Sequence, residues 1–130
     1  MGTLYSGQDP PEPASSETLV GEPIVDKDGD ELGRLEHIVL DVPRGRIAYA
    51  VLGRGGVFGI GEKLIAVPWS ALALDAQRKC FVLDISRERL DRAPRFDRDH
   101  WPAMGDPRWA REVHDFYAAR PYWSEVDLIQ

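Results

Sequence analysis

Short β-type segments separated by turn sequences fill the chain between Gly21 and Ser86, and this spacing limits its fold more than any other feature. Five or six segments recur about every 8–12 residues, as in a small antiparallel barrel or sandwich. The segment RIAYAVLG has apolar residues on both faces, which predicts a strand buried on both sides. The turn sequences KDGD and PRGR precede and follow the segment ELGRLEHIVLDV. We therefore expect a mainly β fold of five to six antiparallel strands.

The two ends of the chain differ from this central region. Residues 1–17 are rich in Pro, Ser and acidic residues and contain no Lys or Arg, which predicts a disordered acidic tail. The β domain should span residues 18–90. Residues 91–130 form an aromatic-rich extension, in which Asp106 and Pro107 have the sequence of a helix start. We expect that helix near 107–119, with Trp109, Val113 and Phe116 on its apolar face and His114 off that face.

Composition excludes several classes of function. The 130 residues include 16 basic and 22 acidic residues, a net charge of −6, without a basic stripe for nucleic acid. No apolar run approaches the ~18 residues that a membrane span needs. The only cysteine, Cys80, lies in the apolar run CFVLDI, which predicts a buried thiol in a reducing, cytoplasmic compartment. The absence of Asn and the excess of thirteen Arg over three Lys suggest a GC-rich bacterial genome.

The glycine-rich stretch RGGVFGIGEK invites comparison with a phosphate-binding loop. Gly56 and Gly61 have the required separation, but Glu62 intrudes before Lys63, and Leu64 stands where the motif needs a hydroxyl. A strand-like sequence follows, whereas a phosphate loop leads into a helix. We interpret the stretch as a structural loop that permits a tight connection between strands. The residues assigned to this loop and its exit are Gly55, Gly56, Gly59, Gly61, Pro68 and Trp69.

Candidate metal and catalytic groups are sparse. Asp26, Asp28 and Asp30 imitate the start of a calcium loop, but Glu31 and His37 occupy the sixth and twelfth positions, so a polar hairpin turn is predicted. His100 and His114, with nearby carboxylates, form the alternative of a metal-dependent or redox-linked protein. No catalytic signature is present, and we expect neither an enzyme nor a bound cofactor or metal.

The block DVPRGRIAYAVLGRGGVFGIGEKLIAVPWSAL resembles the PRC-barrel family, and GDELGRLEHIVLD before it and CFVLDIS after it extend the likeness over residues 18–90. That family includes the cytoplasmic domain of the photosynthetic reaction-centre H subunit and the C-terminal domain of a ribosome-maturation factor. The resemblance implies a small antiparallel PRC-type β-barrel that docks on other proteins. It also implies, by analogy alone, the alternative of a regulator associated with photosynthetic electron transfer.

The predicted function is thus a non-enzymatic interaction or assembly module with a protein partner, and a second copy in a homodimer is one such partner. Aromatic residues are favoured both in cores and at interfaces. Those of the extension would either cover the barrel of their own chain or contact a second subunit. The candidates are Trp101, Trp109, Phe116, Tyr117, Tyr122 and Trp123.

Overall fold

A six-stranded sheet forms most of the structure. The computed structural model describes residues 13–55, 62–75 and 77–123. The strands are β1 (Pro23–Val25), β2 (Glu31–Asp41), β3 (Arg46–Arg54), β4 (Lys63–Pro68), β5 (Leu72–Asp75) and β6 (Cys80–Leu83). The other described elements are α1 (Ser16–Leu19), a 3-10 turn at Trp69–Ala71, α2 (Arg87–Leu90) and α3 (Pro107–Phe116). The prediction of a mainly β fold with a C-terminal helix is confirmed.

The sheet is mixed, so the prediction of purely antiparallel strands is wrong. Its strand order is β4, β3, β2, β1, β6, β5. All neighbours are antiparallel except β1 and β6, where Ile24 lies opposite Phe81 in a parallel pair. The cause is the 3-10 turn at Trp69–Ala71. It carries β4 into β5 without reversing the sense of the chain, and β6 therefore returns parallel to β1.

The inner face of the sheet surrounds one apolar core. Strands from the middle and from both halves of the sheet contribute side chains to it, which requires the sheet to curl. Register shifts in the β1–β2 and β2–β3 ladders add to this bend. The buried members of the cluster are Ile24, Leu32, Leu35, Ala50, Leu52, Ile65, Val67, Phe81, Leu83, Leu90 and Ala93. Burial of each larger aliphatic or aromatic side chain is worth about 1.5–3 kcal/mol.

The curled sheet is a half-barrel, because β4 and β5 lie at its two edges and do not pair with each other in the described part. A segment of the extension covers the β4 edge instead. The backbone groups of Leu64 and Phe96 exchange two hydrogen bonds of 2.9 and 3.1 Å. Beside them Lys63 Nζ lies 2.9 Å from Asp97 Oδ1, and Arg98 pairs with Glu62. This contact protects part of an edge that would otherwise be free to pair with another strand.

The outer face of β3 and β4 is covered by α3. Tyr49 and Ala66 join Val113 there in a second buried cluster, so β3 is buried on both faces, as predicted. Helix α3 begins at Pro107 with Asp106 as its cap, also as predicted, and the Asp106 side chain accepts a hydrogen bond of 3.0 Å from the backbone of Arg108. It ends at Phe116 rather than near 119.

The prediction that His114 lies off the apolar face of α3 is wrong. Ala110, Val113 and His114 are the buried residues of the helix, because the stripe at i, i+3 and i+4 turns towards the sheet. A polar residue within such a stripe is easily assigned to the solvent side. Here its ring is packed among aromatic rings and makes a local hydrogen bond.

A short helix lies at the boundary between the predicted 1–17 tail and the β domain. The Ser15 hydroxyl accepts a hydrogen bond of 3.2 Å from the backbone of Glu17, and α1 begins at Ser16, inside the predicted 1–17 tail. Residues 1–12 of that tail and 124–130 of the extension lie outside the described residues. Over the ranges that are described, no helix combines the length and apolarity needed to cross a bilayer.

Candidate interaction surface

All six predicted interaction aromatics make ring contacts within their own chain, and five of them are half-buried. Trp109 lies edge-on to Tyr49 with ring centroids 5.2 Å apart, and Trp123 lies edge-on to His114 at 5.0 Å. Phe116, Tyr117 and Tyr122 are also half-buried. Trp101 differs, because it is 41% exposed while it contacts His37 and Phe96. Whether any of these rings also contacts a partner remains a prediction.

A groove of about 570 Å³ opens between the β2–β3 hairpin and the extension. We call it the hairpin groove. Residues 39–44 and 48–49 line it from the hairpin, and 104, 105, 107, 110, 111, 122 and 123 line it from the extension. Most of these side chains are apolar. The groove therefore brings together 39–49 and 104–123, two parts of the chain that are distant in sequence.

Two apolar side chains stand exposed beside this groove. Leu40, near the end of β2, is 60% exposed, and Val42, in the turn that follows, is 78% exposed. Both also line the groove. The hairpin that carries them is held by the long β2–β3 ladder. Exposed aliphatic residues at the mouth of an apolar groove are typical of a surface that another protein covers.

The polar groups of the groove are tied together. Tyr122 Oη donates a hydrogen bond of 2.5 Å to Asp41 Oδ2, and Arg44 Nη1 lies 3.3 Å from the same oxygen. The guanidinium of Arg46 lies 5.6 Å from the centre of the Tyr122 ring. The Tyr122 hydrogen bond is the main reason that the pKa of Asp41 is lowered. Burial, followed by the Asp41 hydrogen bond, raises the pKa of Tyr122 to about 12.

Removal of the Tyr122 hydroxyl should weaken this link between the extension and the half-barrel. We expect Tyr122→Phe to lower the free energy of unfolding at pH 7 by about 1 kcal/mol, the usual size of one hydrogen bond. The folded-state pKa of Asp41 is depressed, so its ionised carboxylate stabilises the folded state. This contribution to the free energy of unfolding is fully present above the unfolded pKa near 3.9 and is lost as the pH falls through the folded value. Urea denaturation at pH 7 and pH 3 measures both effects. An equal difference between wild type and variant at both pH values would contradict this account.

His114 and His100 do not form the alternative metal site in the structure. His114 is buried, its Nδ1 donates a hydrogen bond of 2.7 Å to the carbonyl of Ala110, and its Nε2 has no partner in the described part of the chain. Burial lowers the pKa of His114. His100 is exposed. Within 13–55, 62–75 and 77–123, no three His, Cys, Asp or Glu side chains are grouped as metal ligands.

The predicted structural loop is described only at its ends. Gly55 has a φ of 79°, which suits glycine, but Gly56, Gly59 and Gly61 lie outside the described residues. The strand β4 follows the glycines, as predicted, and Pro68 ends it. Trp69 then packs edge-on to Phe81 with ring centroids 5.7 Å apart. The turn at Asp26–Asp30 is the predicted polar hairpin turn, with Gly29 at a φ of 89°.

The sequence did not reveal the groove or its polar residues. Asp41, Arg44 and Tyr49 were not among the candidate residues, although Tyr49 stands in a strand that is apolar on both faces. A tyrosine buried in such a strand carries a hydroxyl that needs either a partner or an opening to solvent. That requirement is the signal that could have directed attention to this part of the sheet.

Comparison with known proteins identifies the family. No curated protein matches the sequence closely enough to count as a relative. The family model described as PRC-barrel domain matches residues 14–90, which include all six strands and more than half of the chain. The match ends at the last residue of α2, so α3 and the extension side of the groove lie outside it. The chain belongs to the PRC-barrel domain family.

Proposed function

We propose that the protein is a non-enzymatic interaction module that holds a partner protein at the hairpin groove. The observation that carries this proposal is the exposure of Leu40 and Val42 beside the apolar groove. An exposed apolar side chain does not stabilise the folded chain by burial, whereas its burial against a partner is favourable. A second copy of the chain is one partner that this surface could take.

The charges of the groove favour binding over catalysis. A general acid or base works best when its pKa lies near the working pH. The hydrogen bond from Tyr122 is the main cause that lowers the pKa of Asp41, whereas burial, followed by the same hydrogen bond, raises the pKa of Tyr122. Each therefore keeps a fixed protonation state near pH 7. This pair is suited to hold the extension against the hairpin rather than to transfer protons.

The cytoplasm is the compartment that we propose for this module. Cys80 is a free, buried thiol, and burial is the largest cause that raises its pKa. Such a thiol is a small apolar core residue with little thiolate character. This chemistry fits a reducing compartment, where free cysteines persist without forming disulfides.

Introduction of a charge into the surface tests the proposal. We expect wild-type protein, used as bait in an extract of its source organism, to retain a specific partner, and Val42→Asp to retain about tenfold less, since burying the carboxylate is costly. Val20→Asp is the matched control, because Val20 is also exposed (44%) but is not among the residues that line the groove. Sedimentation of the same variants shows whether the partner is a second copy. Equal retention by Val42→Asp and Val20→Asp would exclude this surface, and a monomer that retains nothing would exclude the function.

A further inference from the structure

We propose that the hairpin groove recognises a segment of a partner protein in which an apolar side chain stands next to a carboxylate. This inference rests on the proposed function and specifies the chemistry of the partner at the same site. It depends on three features of the groove: its apolar walls, the Tyr49 hydroxyl, which makes no hydrogen bond to a described residue, and the Arg111 guanidinium, which forms no ion pair with one.

The walls select an apolar side chain. Val39 and Pro43 line the groove from the hairpin, and Met104, Pro107 and Ala110 line it from the extension. The small side chain of Ala110, which is buried in α3, leaves room between the helix and the hairpin. An aliphatic or aromatic side chain placed there would lose water contact without leaving polar groups unpaired.

The hydroxyl of Tyr49 offers a hydrogen bond into the groove. Tyr49 is only 2% exposed and lines the groove, yet its hydroxyl makes no hydrogen bond to any residue that the structure describes. His114 Nε2 also lacks a partner, so these two neighbouring groups do not satisfy each other. Burial raises the pKa of Tyr49, and the hydroxyl therefore keeps its proton. A ligand that supplies an acceptor would complete this hydrogen bond.

The charge at the groove favours an anionic acceptor. Asp41, the one carboxylate among the described residues that line the groove, already accepts from Tyr122 and Arg44. Arg111 is exposed, lines the groove from α3, and forms no ion pair with another residue in the described ranges. A cation and a neutral donor on the same groove both match a carboxylate, whereas a basic group would be repelled by Arg111.

The shape of the site favours a protein segment over a small metabolite. Sites for small molecules enclose most of the ligand surface. Here the groove opens beside Leu40 and Val42, which stay exposed and extend the apolar surface beyond it. A chain segment can fill the groove with one side chain and cover these two residues with its neighbours.

Selection from a library of displayed random peptides on the full-length protein tests the inference. We expect the enriched peptides to combine an aromatic or aliphatic residue with Asp, Glu or a free C-terminal carboxylate. Conversion of that carboxylate to an amide should weaken binding to the wild type by about tenfold, the effect of one charge-assisted hydrogen bond. In Arg111→Gln the acid and the amide should bind alike, because the variant has already lost the contact.

Two further variants separate recognition from folding. Arg108→Gln removes an exposed arginine that lies on the same helix and does not line the groove, so its binding should match the wild type. Tyr49→Phe removes the hydroxyl donor and should weaken binding of the acidic peptides, with thermal melting as the check of folding. Arg111 lies on the surface, so Arg111→Gln remains informative even if Tyr49→Phe is unstable.

Several outcomes would overturn the inference. They are enrichment of basic peptides, the absence of enrichment, and equal effects of Arg108→Gln and Arg111→Gln. A homodimer that is disrupted by Val42→Asp and is not displaced by peptide would assign the groove to a second copy of the chain instead. A captured partner that is lost with Val42→Asp but unaffected by Arg111→Gln would remove this inference and leave the proposed function in place.

Discussion

Substitution of Gly33 by alanine should lower the free energy of unfolding by about 3 kcal/mol, the upper end of the usual cost of overpacking. A Cβ atom on Gly33 would lie 2.5 Å from the carbonyl oxygen of Gly53 and 2.7 Å from Leu52 Cδ2. Both atoms belong to β3, which is hydrogen-bonded to β2 on one side and to β4 on the other. The backbone oxygen cannot move away without distortion of that ladder. Urea denaturation followed by circular dichroism measures the loss.

Gly53→Ala is the matched control. Its Cβ would lie 2.6 Å from Glu36 Cγ, which belongs to a half-buried side chain rather than to backbone. Glu36 can change rotamer at the cost of a long ion pair of 4.0 Å with Arg98, so we expect a loss of about 1 kcal/mol or less. If the two alanine variants were equally unstable, the clash with the β3 backbone would not be the cause.

The buried histidine should make the protein sensitive to mild acid. Burial lowers the folded-state pKa of His114 below its usual 6.5, and its Nδ1–H remains bound to the Ala110 carbonyl. Between the folded and unfolded pKa values the unfolded chain binds more protons, so stability falls as the pH drops below about 6.5. The slope from this group is at most about 1.4 kcal/mol for each pH unit. Unfolding free energies measured from pH 7.5 to pH 5 should show it.

His114→Leu should flatten that pH profile, because leucine fills a similar volume and does not titrate. The packed rings around it, those of Tyr49, Tyr122 and Trp123, do not ionise in this range, and Asp115 opposes the shift only in part. His100→Gln is the control for an exposed histidine and should keep the wild-type slope. Parallel profiles for the wild type and His114→Leu would show that another group causes the acid sensitivity.

Local chemistry determined which parts of the structure the sequence could predict. The apolar run of β3 predicted burial on both faces, and Asp106 with Pro107 predicted the start of α3, because both signals lie within a few residues. The parallel pairing of β1 with β6 depends on whether Trp69–Ala71 reverses the chain, and no local pattern reports that. The groove was missed for a similar reason, since it exists only after the hairpin and the extension meet.

The groove is divided between the half-barrel and the extension, and the two sides differ in how far substitutions there would affect the core. The inner core of the half-barrel includes buried residues only up to Ala93, so its fully buried members all precede α3. An exposed groove-lining position of the extension, such as Arg111, can therefore vary without disturbing the buried residues that stabilise the sheet. A half-barrel of constant structure could acquire new binding preferences through changes in the extension alone.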